Sequence, residues 1–559
     1  MFLGIDVGGT HTDAVVLNAT GIVASCKVPT RHDNLLRSIN EALEIVLKDV
    51  DPAAVKQLNL STTLSTNAIV ENKTEEVGML VSAGPGIDPH SFMVCRDFHV
   101  LDGCIDHRGT ETSRMKPREI DEAIENCAEQ GVKVYATVSK FSPRNPLHEN
   151  QVRIALKRQQ QDDKPLCDFI TVGHELGGRL NFPRRIATAY FNSAVWRLYN
   201  NFADAVEATL ETHGLTHAKI NILKADGGTM PVALSRTMPV QSIFSGPAAS
   251  VMGIIALCDI HHDSIILDIG GTTTDIAIFA SGSPLVEQDG ISIGSHPTLV
   301  RALKVQSIGI GGDSAISVFA ETVRVGPNRL GPSMAVGGER PTLTDCLNYT
   351  GACEVGDVEK SRAGIEAFAK EHSIKPQTLA EQAVENAAIA IHKATREMLD
   401  DINEKPVYTI HEMLDTGRII PKKIYLMGGP AKAMKMPMFG QFRLSTEVPE
   451  NYDVANAIGA ALTRTTTDIE LFADTQKNIM FIPSLGYKSN IPSSYDLADA
   501  ETDAMNHLIA HLADLGLPSD GERAQITHAS SFNMVEDDRL VGKNIRVKCQ
   551  IRPGITKRL

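Results

Sequence analysis

Two stretches of the chain carry the same ordered set of donors and acceptors: Asp6-Val7-Gly8-Gly9-Thr10-His11-Thr12-Asp13 and Asp268-Ile269-Gly270-Gly271-Thr272-Thr273-Thr274-Asp275. Each follows a short apolar run, Leu3 to Val7 or Ile265 to Ile269, so each reads as a strand, a tight glycine turn and a returning strand. Glycine tolerates positive φ and has no Cβ, so a ligand can approach the peptide N–H groups of Gly8, Gly9, Gly270 and Gly271 closely. Thr10, Thr12, Thr272 and Thr273 add hydroxyls. Such turns suit phosphate oxygens, and Asp6 and Asp268 suit Mg²⁺, which keeps several waters and takes few protein carboxylates. The chemistry expected is therefore that of Mg-ATP, gripped by two hairpins. Asp6 and Asp268 are the expected metal ligands and catalytic residues, while Asp13 and Asp275 are read as ordering the turns through backbone N–H bonds.

Other turns add to this set. In "GIGGDS" (309–314), Gly311 and Gly312 are expected to bring backbone to the phosphate side, with Asp313 placed to activate a nucleophile or bind Mg²⁺. A carboxylate beside phosphate is costly without such a task. The strand Ile424 to Met427 runs into Gly428-Gly429-Pro430 and a helix. Thr66 and Asn67, in "STTLSTNAIVE", lie where a polar loop enters a helix and are placed to cap it.

Several chemistries lack support. Neither G-x-x-x-x-G-K-[ST] nor a strand-linked G-x-G-x-x-G with its acidic partner occurs. "GHELGG" (173–178) lacks the second histidine of a zinc helix. His107 and His148 read as structural histidines. Nine scattered cysteines without C-x-x-C argue against a disulfide framework or zinc site and are read as mostly buried thiols. A formal charge of −14 disfavours nucleic acid as the main partner. No apolar run reaches the ~18 to 20 residues of a membrane span, and the opening "MFLGIDVGG" reads as a strand rather than an export signal, so a cytoplasmic location is expected.

The elements that must position these residues follow an α/β pattern. Three strands at the start precede an amphipathic helix from about Asn34, with Leu35, Leu36, Ile39, Leu43, Val46 and Leu47 on its apolar face. Strand "EVGMLVSA", helix "REIDEAIENCAEQ", strand "VKVYATVS" and helix "LHENQVRIALKRQQQ" alternate next, the last ending in the polar linker "QQQDDKP". A second set begins at "SIILDIGG", with a long helix at 380–402. "DVANAIGAAL" (453–462) is a helix whose small residues permit close packing at a hinge. The tail carries a helix, "TDAMNHLIAHLADLGL", and a strand, "KNIRVKCQIRP". At 559 residues the chain exceeds one core, since single cores stop growing near ~250–300 residues.

The paired hairpins resemble those of the actin, hexokinase and heat-shock ATPase superfamily. The resemblance implies two ribonuclease-H-like α/β domains around a nucleotide cleft, with a small α+β extension at the C-terminus. Narrower likeness comes from "STTLSTNAIVE", "LDGCIDHRG", "FSPRNPLHE", "ATAYFNSAV", "ADGGTMP" and "SGPAAS", which together resemble the A-type hydantoinase/oxoprolinase family. Domains are accordingly expected at 1–185, 186–475 and 476–559, with the helix near 453–465 returning to the first half. The resemblance implies ATP-dependent opening of a small cyclic amide, or attack on a related carbonyl compound, often with a B-type partner subunit. It also places Gly428 and Gly429 against the adenosine and Thr66 and Asn67 beside a substrate pocket. A small-molecule kinase and an ATP-driven activator of a partner protein are the alternatives. The chain departs from the family pattern at Gln306, where a histidine is usual, at Asp313, where a glycine is usual, and at His11, where an aromatic residue is common.

Overall fold

The computed structural model describes residues 1–559 apart from 32–33, 162–163, 178–179, 288, 321, 405–417, 516–523 and 537. The end of the expected tail helix, part of "QQQDDKP" and the last residue of "GHELGG" lie outside the described residues. Strands β1 (Phe2–Val7), β2 (His11–Leu17) and β3 (Ile22–Pro29) form an antiparallel meander. Helix α1 (Leu35–Val46) follows, capped by Asn34, whose side chain accepts the Arg37 N–H at 3.2 Å. Strand β4 (Gln57–Thr62) then lies parallel to β1 on its other side, and the short helix α2 (Leu64–Val70) starts at once.

The chain next leaves this sheet. Strands β5 (Val77–Ser82), β6 (Phe98–Val100), β7 (Val134–Ser139) and β8 (Phe169–Val172) make a separate parallel sheet in the order β8-β7-β5-β6. It has its own core, in which Val77, Met79 and Val81 meet Phe182, Ile186 and Ala189. From Tyr199 onward apolar residues pack into the first core again, and β9 (Lys219–Leu223) and β10 (Thr229–Pro231) complete the first sheet as β10-β9-β4-β1-β2-β3. The sheets therefore do not divide at residue 185: an inserted layer interrupts the first half, which resumes on its far side.

After α3 (Ser245–Leu257), strands β11 (Ser264–Ile269), β12 (Thr274–Ala280) and β13 (Val305–Ile308) repeat the antiparallel meander. Helix α4 (Pro376–Asn403) leads on, beyond the undescribed 405–417, to β14 (Lys423–Met427), α5 (Ala431–Phe442) and β15 (Ser445–Glu447), the strands parallel to β11. Both sheets thus have a central hairpin strand with antiparallel returns on one side and parallel strands on the other. The sequence repeat is a repeat of architecture, and the two halves are actin-like.

Helix α6 (Ala455–Leu462) goes back to β1 and α3. Backbones touch here. A Cβ at Gly4 would stand 2.1 Å from Ala457 O, at Gly253 2.2 Å from Ala455 O, and at Gly459 2.2 Å from Ala249 O. Replacing a helical glycine by alanine ordinarily gains ~1 kcal/mol, but overpacking costs ~1–3 kcal/mol or more, and backbone cannot give way cheaply. Gly459→Ala is expected to lower the melting temperature, and an unchanged or raised melting temperature would refute the close crossing.

The last unit is antiparallel: β16 (Asp468–Asp474), β17 (Ile479–Ile482), β18 (Tyr487–Asn490), α7 (Leu497–Asp514), β19 (Ala524–Glu536) and β20 (Arg539–Ile551), in the order β18-β17-β16-β20-β19. Its sheet starts at Asp468, ahead of the expected 476, because Ile469 and Leu471 already pack into its core beneath α7. No disulfide forms: four cysteines are buried and five half-buried, fewer than the buried majority expected. Among the described residues no helix is long and apolar enough to cross a membrane.

Candidate active site

The two hairpins close identically. Gly8 N–H donates to His11 O at 3.0 Å, Gly270 N–H to Thr273 O at 2.9 Å, and the ladders pair Asp6 with Asp13 and Asp268 with Asp275. None of Gly8, Gly9, Gly270 and Gly271 lies at positive φ, contrary to expectation; what they supply is room. A Cβ at Gly9 would meet nothing within 4 Å, whereas one at Gly271 would stand 3.0 Å from Thr10 Cγ2 and 3.3 Å from Asp313 Oδ2. The tips of the two halves therefore meet. The amides of Gly9, Thr10, Gly271 and Thr272 donate to no other described residue and can take phosphate oxygens.

The threonines of the two motifs differ in task. Thr10, Thr272 and Thr273 stand at the tips, partly or fully exposed. Thr12 is buried and bonds Thr30 Oγ1 at 3.0 Å, which in turn donates to Gly8 O. Its counterpart Thr274 donates to Ile310 O at 2.7 Å. Thr12 therefore holds the turn instead of facing a ligand, because its hydroxyl is already engaged.

Asp6 and Asp268 converge on one nitrogen: Asn456 Nδ2, from α6, donates to Asp6 Oδ2 and to Asp268 Oδ2, each at 3.3 Å. Ser250, from α3, donates to Asp268 Oδ2 at 2.5 Å. Asp13 is ion-paired with Lys27 at 2.8 Å, and Asp275 accepts from the Ser307 hydroxyl, so side chains and not backbone N–H groups hold these two. Burial, with repulsion from Asp13 and Asp268, pushes the Asp6 carboxyl up to about 7, although nearby Ser61 and Asn456 favour its charged form. Burial also lifts Asp13 to about 6 despite Lys27, and burial plus Asp268 lift Asp275 to about 7.

This arrangement fits a divalent cation. Asp6 Oδ1 is buried without a hydrogen-bond partner, an unusual state for a carboxylate among carboxylates. Among the described residues no cluster of three or more His, Cys, Asp or Glu could hold a metal alone. A cation here would take the two carboxylates and otherwise oxygen from water or phosphate, which is how Mg²⁺ binds.

Gly311 and Gly312 do not offer donors as expected. Gly311 N–H donates to Ser314 Oγ, Gly312 N–H to Gly270 O and Asp313 N–H to Gly271 O, so this loop braces the second hairpin from behind. A Cβ at Gly311 would stand 2.7 Å from Gly271 C and O. Asp313 itself reaches the tip, where Oδ2 accepts from Arg329 Nη2 at 3.1 Å. Burial raises its carboxyl above the ordinary range while Arg329 works against that rise. Gly428 does sit at positive φ (87°), its α-carbon pressed toward Asp268, with a built Cβ only 2.5 Å from Oδ1. Gly429 faces open space at the entry to α5.

Thr66 and Asn67 lie inside α2 and do not cap it. Thr66 Oγ1 accepts the N–H of Phe244 at 3.0 Å, holding that residue left-handed (φ 61°) where α3 begins; Asn67 Nδ2 donates to Thr63 Oγ1 at 3.3 Å. A non-glycine residue there carries a strain of ~1–3 kcal/mol, a feature that concentrates at functional sites. Phe244, Pro247 and Ala248 line a cavity of about 440 Å³ with Leu303 and Val305 on its apolar side and Arg184, Glu287 and Ser307 on its polar side, and Ser307 joins it to Asp275.

Motif reading missed Asn456, Ser250 and Arg329. Ser250 closes "SGPAAS" and Asn456 is the polar residue in "DVANAIGAAL", a signal visible once that helix is asked why it is not wholly apolar. Arg329 leaves no such trace. His148 is buried with Nε2 3.0 Å from Glu111, and His174 Nδ1 bonds Glu149, which supports structural roles.

The meeting of the tips makes one substitution informative. Gly271→Val would press a branched side chain between Thr10 and Asp313, so nucleotide affinity is expected to fall at least ~10-fold, about 1.4 kcal/mol, in a folded protein. Unchanged affinity by calorimetry would remove the nucleotide from this position.

A family model for hydantoinase/oxoprolinase matches residues 185–469, and one for the hydantoinase/oxoprolinase N-terminal region matches residues 2–159. The chain is 27% identical over 430 residues to the caprolactamase alpha subunit of Pseudomonas jessenii, covering 70% of this chain and 60% of that protein. It is 21% identical over 423 residues to 5-oxoprolinase of Saccharomyces cerevisiae, covering 62% and 31%. The acetone carboxylase beta subunit of Xanthobacter autotrophicus is 21% identical over 403 residues, covering 62% and 53%. The chain thus spans 60% or less of the length of these relatives. Among solved structures, nucleotide-free acetone carboxylase superposes with a TM-score of 0.72 at 15% identity, over 99% of this chain and 87% of that one. ATP-dependent caprolactamase from Pseudomonas jessenii gives 0.69 at 19% identity, over 98% and 87%. At such identities the superpositions speak for the fold.

Proposed function

The chain belongs to the hydantoinase/oxoprolinase family, and from that membership and the facing hairpins we propose that it opens a small cyclic amide, or attacks a related carbonyl compound, at the expense of ATP. The observation that carries this reading is the convergence of Asp6 and Asp268, one from each half, on Asn456 beneath hairpin tips with uncommitted amides. The relatives named as ATP-dependent caprolactamase and 5-oxoprolinase support the substrate class.

In this reading the amides of Gly9, Thr10, Gly271 and Thr272, with the Thr10, Thr272 and Thr273 hydroxyls, bind phosphate oxygens. Gly428 and Gly429 take the nucleoside side. Asp6 and Asp268 hold Mg²⁺, and Asn456 keeps the two carboxylates in register across the halves. Bound Mg-ATP supplies an activated phosphoryl group for the amide oxygen, which makes the carbonyl carbon electrophilic. The cavity beside Phe244 takes the body of the substrate, and Thr66 positions Phe244. Asp313 accepts a proton from the nucleophile, and Arg329 favours the charged form of that carboxylate.

The test is ATP turnover against hydantoins, 5-oxoproline, lactams and ketones, with and without a co-encoded B-type protein. Stimulation by a cyclic amide or ketone, with release of phosphate, is expected. A stable phosphorylated product from single turnover would make the protein a kinase instead, and turnover moved only by a protein partner would make it an activator.

A further inference from the structure

A second cavity, of about 170 Å³, lies behind the first. The wall between them is thin: Leu303 N–H donates to Ala225 O at 2.8 Å, with Ala225, Ala302 and Leu303 facing the cavity beside Phe244 and Lys224, Asp226 and Arg301 facing the other. Thr466, just ahead of the C-terminal unit, and Asp468 and Lys548 within it complete the lining.

The charges here do not balance pair by pair. Lys224 is buried and pairs with Asp226 at 3.4 Å, and Lys548 pairs with Asp468 at 2.9 Å. Of the other lining carboxylates, Glu175 is paired with Arg153 at 2.7 Å and Glu470 with Arg546. Arg301 is the exception: its guanidinium donates to the neutral Gln550 amide, and among the described residues it has no carboxylate within ion-pair distance. Burial works against the charge on Asp468, yet Lys548, Arg301 and Lys224 together hold its carboxyl well below the ordinary range, a sign of local positive excess. Thr466 Oγ1, also lining this space, is buried without a partner. A guanidinium with spare donors beside an unused hydroxyl matches a carboxylate, which arginine binds in a bidentate manner.

We propose that this second cavity binds a small molecule bearing a carboxylate, taken by Arg301 with Thr466 as a second donor. Hydrolysis of a cyclic amide breaks the ring C–N bond, adds water and creates a carboxylate and an amine. The site would therefore hold the ring-opened product one wall away from the reaction chamber. That assignment of the ligand as product rests on the amide hydrolysis proposed above, whereas the carboxylate site does not.

Titration calorimetry without ATP tests it, using 6-aminohexanoate, L-glutamate and succinate as carboxylates and caprolactam and hydantoin as uncharged probes. At least one carboxylate is expected to bind and the uncharged probes not. Arg301→Gln is expected to weaken that binding at least tenfold with nucleotide affinity unchanged, and Arg301→Lys, which keeps charge but loses the fork, by a smaller factor. Binding of amino acids but not succinate would identify a ring-opened product, and succinate alone an unrelated acid. Absence of carboxylate binding, equal binding of the uncharged probes, or binding indifferent to Arg301→Gln (or to Arg301→Lys should the first variant fail to fold) would overturn the site. If carboxylates bind as expected while no cyclic amide stimulates ATP turnover, only the amide reading fails.

Discussion

Asp6→Asn is expected to reduce Mg-dependent ATP turnover by at least ~10³-fold while making the nucleotide-free protein more stable at pH 8. The kinetic arm follows from losing a metal-binding charge, since metal stabilisation of developing charge is worth several kcal/mol and each ~1.4 kcal/mol is a factor of ten. The stability arm follows from burial. Asp6 sits among Asp13 and Asp268 with Oδ1 unpartnered, and its carboxyl is raised to about 7. A carboxyl raised on folding binds more protons in the native state than in the unfolded one between its ordinary range near ~4 and 7. Stability is therefore lost as pH rises through that window, and above it the folded protein carries the full cost of the buried charge. Asparagine removes that cost, on the order of a few kcal/mol, at pH 8 and changes little at pH 4. Melting curves at the two pH values, beside turnover at limiting Mg²⁺, read both arms. Wild-type turnover would take Asp6 off the metal, and a variant less stable at pH 8 would refute the electrostatic account. Asp268→Asn is expected to match the kinetic arm.

Asp313→Asn is expected to lower kcat by ~10²- to 10⁴-fold, the usual contribution of a general base, with ATP affinity changed little. The carboxylate reaches the second hairpin tip, and Arg329 at 3.1 Å supplies a positive charge that favours its ionised form against burial. Two companion variants separate roles. Removing that charge in Arg329→Gln leaves burial unopposed, so the Asp313 carboxyl rises further and the acidic limb of the pH–rate profile moves to higher pH. A raised Mg²⁺ requirement in Asp313→Asn, with the limb unmoved in Arg329→Gln, would make Asp313 a metal residue. Full activity in Asp313→Gly, which restores the residue usual in the family, would make it a tolerated loop substitution.

Both predictions concern residues whose types and local setting are written in the sequence. The repeated Asp-x-Gly-Gly-Thr-x-Thr-Asp dictates two like hairpins, because a glycine pair between apolar strands closes the same turn wherever it occurs, and the ladders pair Asp6 with Asp13 and Asp268 with Asp275 as the spacing requires. The helices at 35–46 and 376–403 and the small-residue helix at 455–462 were legible for the same reason: periodicity and capping act over a few residues. Tertiary structure decided the rest. Which strand joins β4 is not encoded near β4, because parallel partners arrive by crossover, and here β9 arrives after an inserted sheet of its own. The tasks of Thr12, Gly311 and Gly312 turned on whether their polar groups were already satisfied by Thr30, Ser314 and Gly270. Asn456 joins Asp6 to Asp268 only because packing brings distant segments within hydrogen-bond reach, and a short-range pattern holds no record of a partner hundreds of residues away, whereas Arg329 meets Asp313 across a hairpin 16 residues on, where the strand register sets Ser314 opposite Arg329.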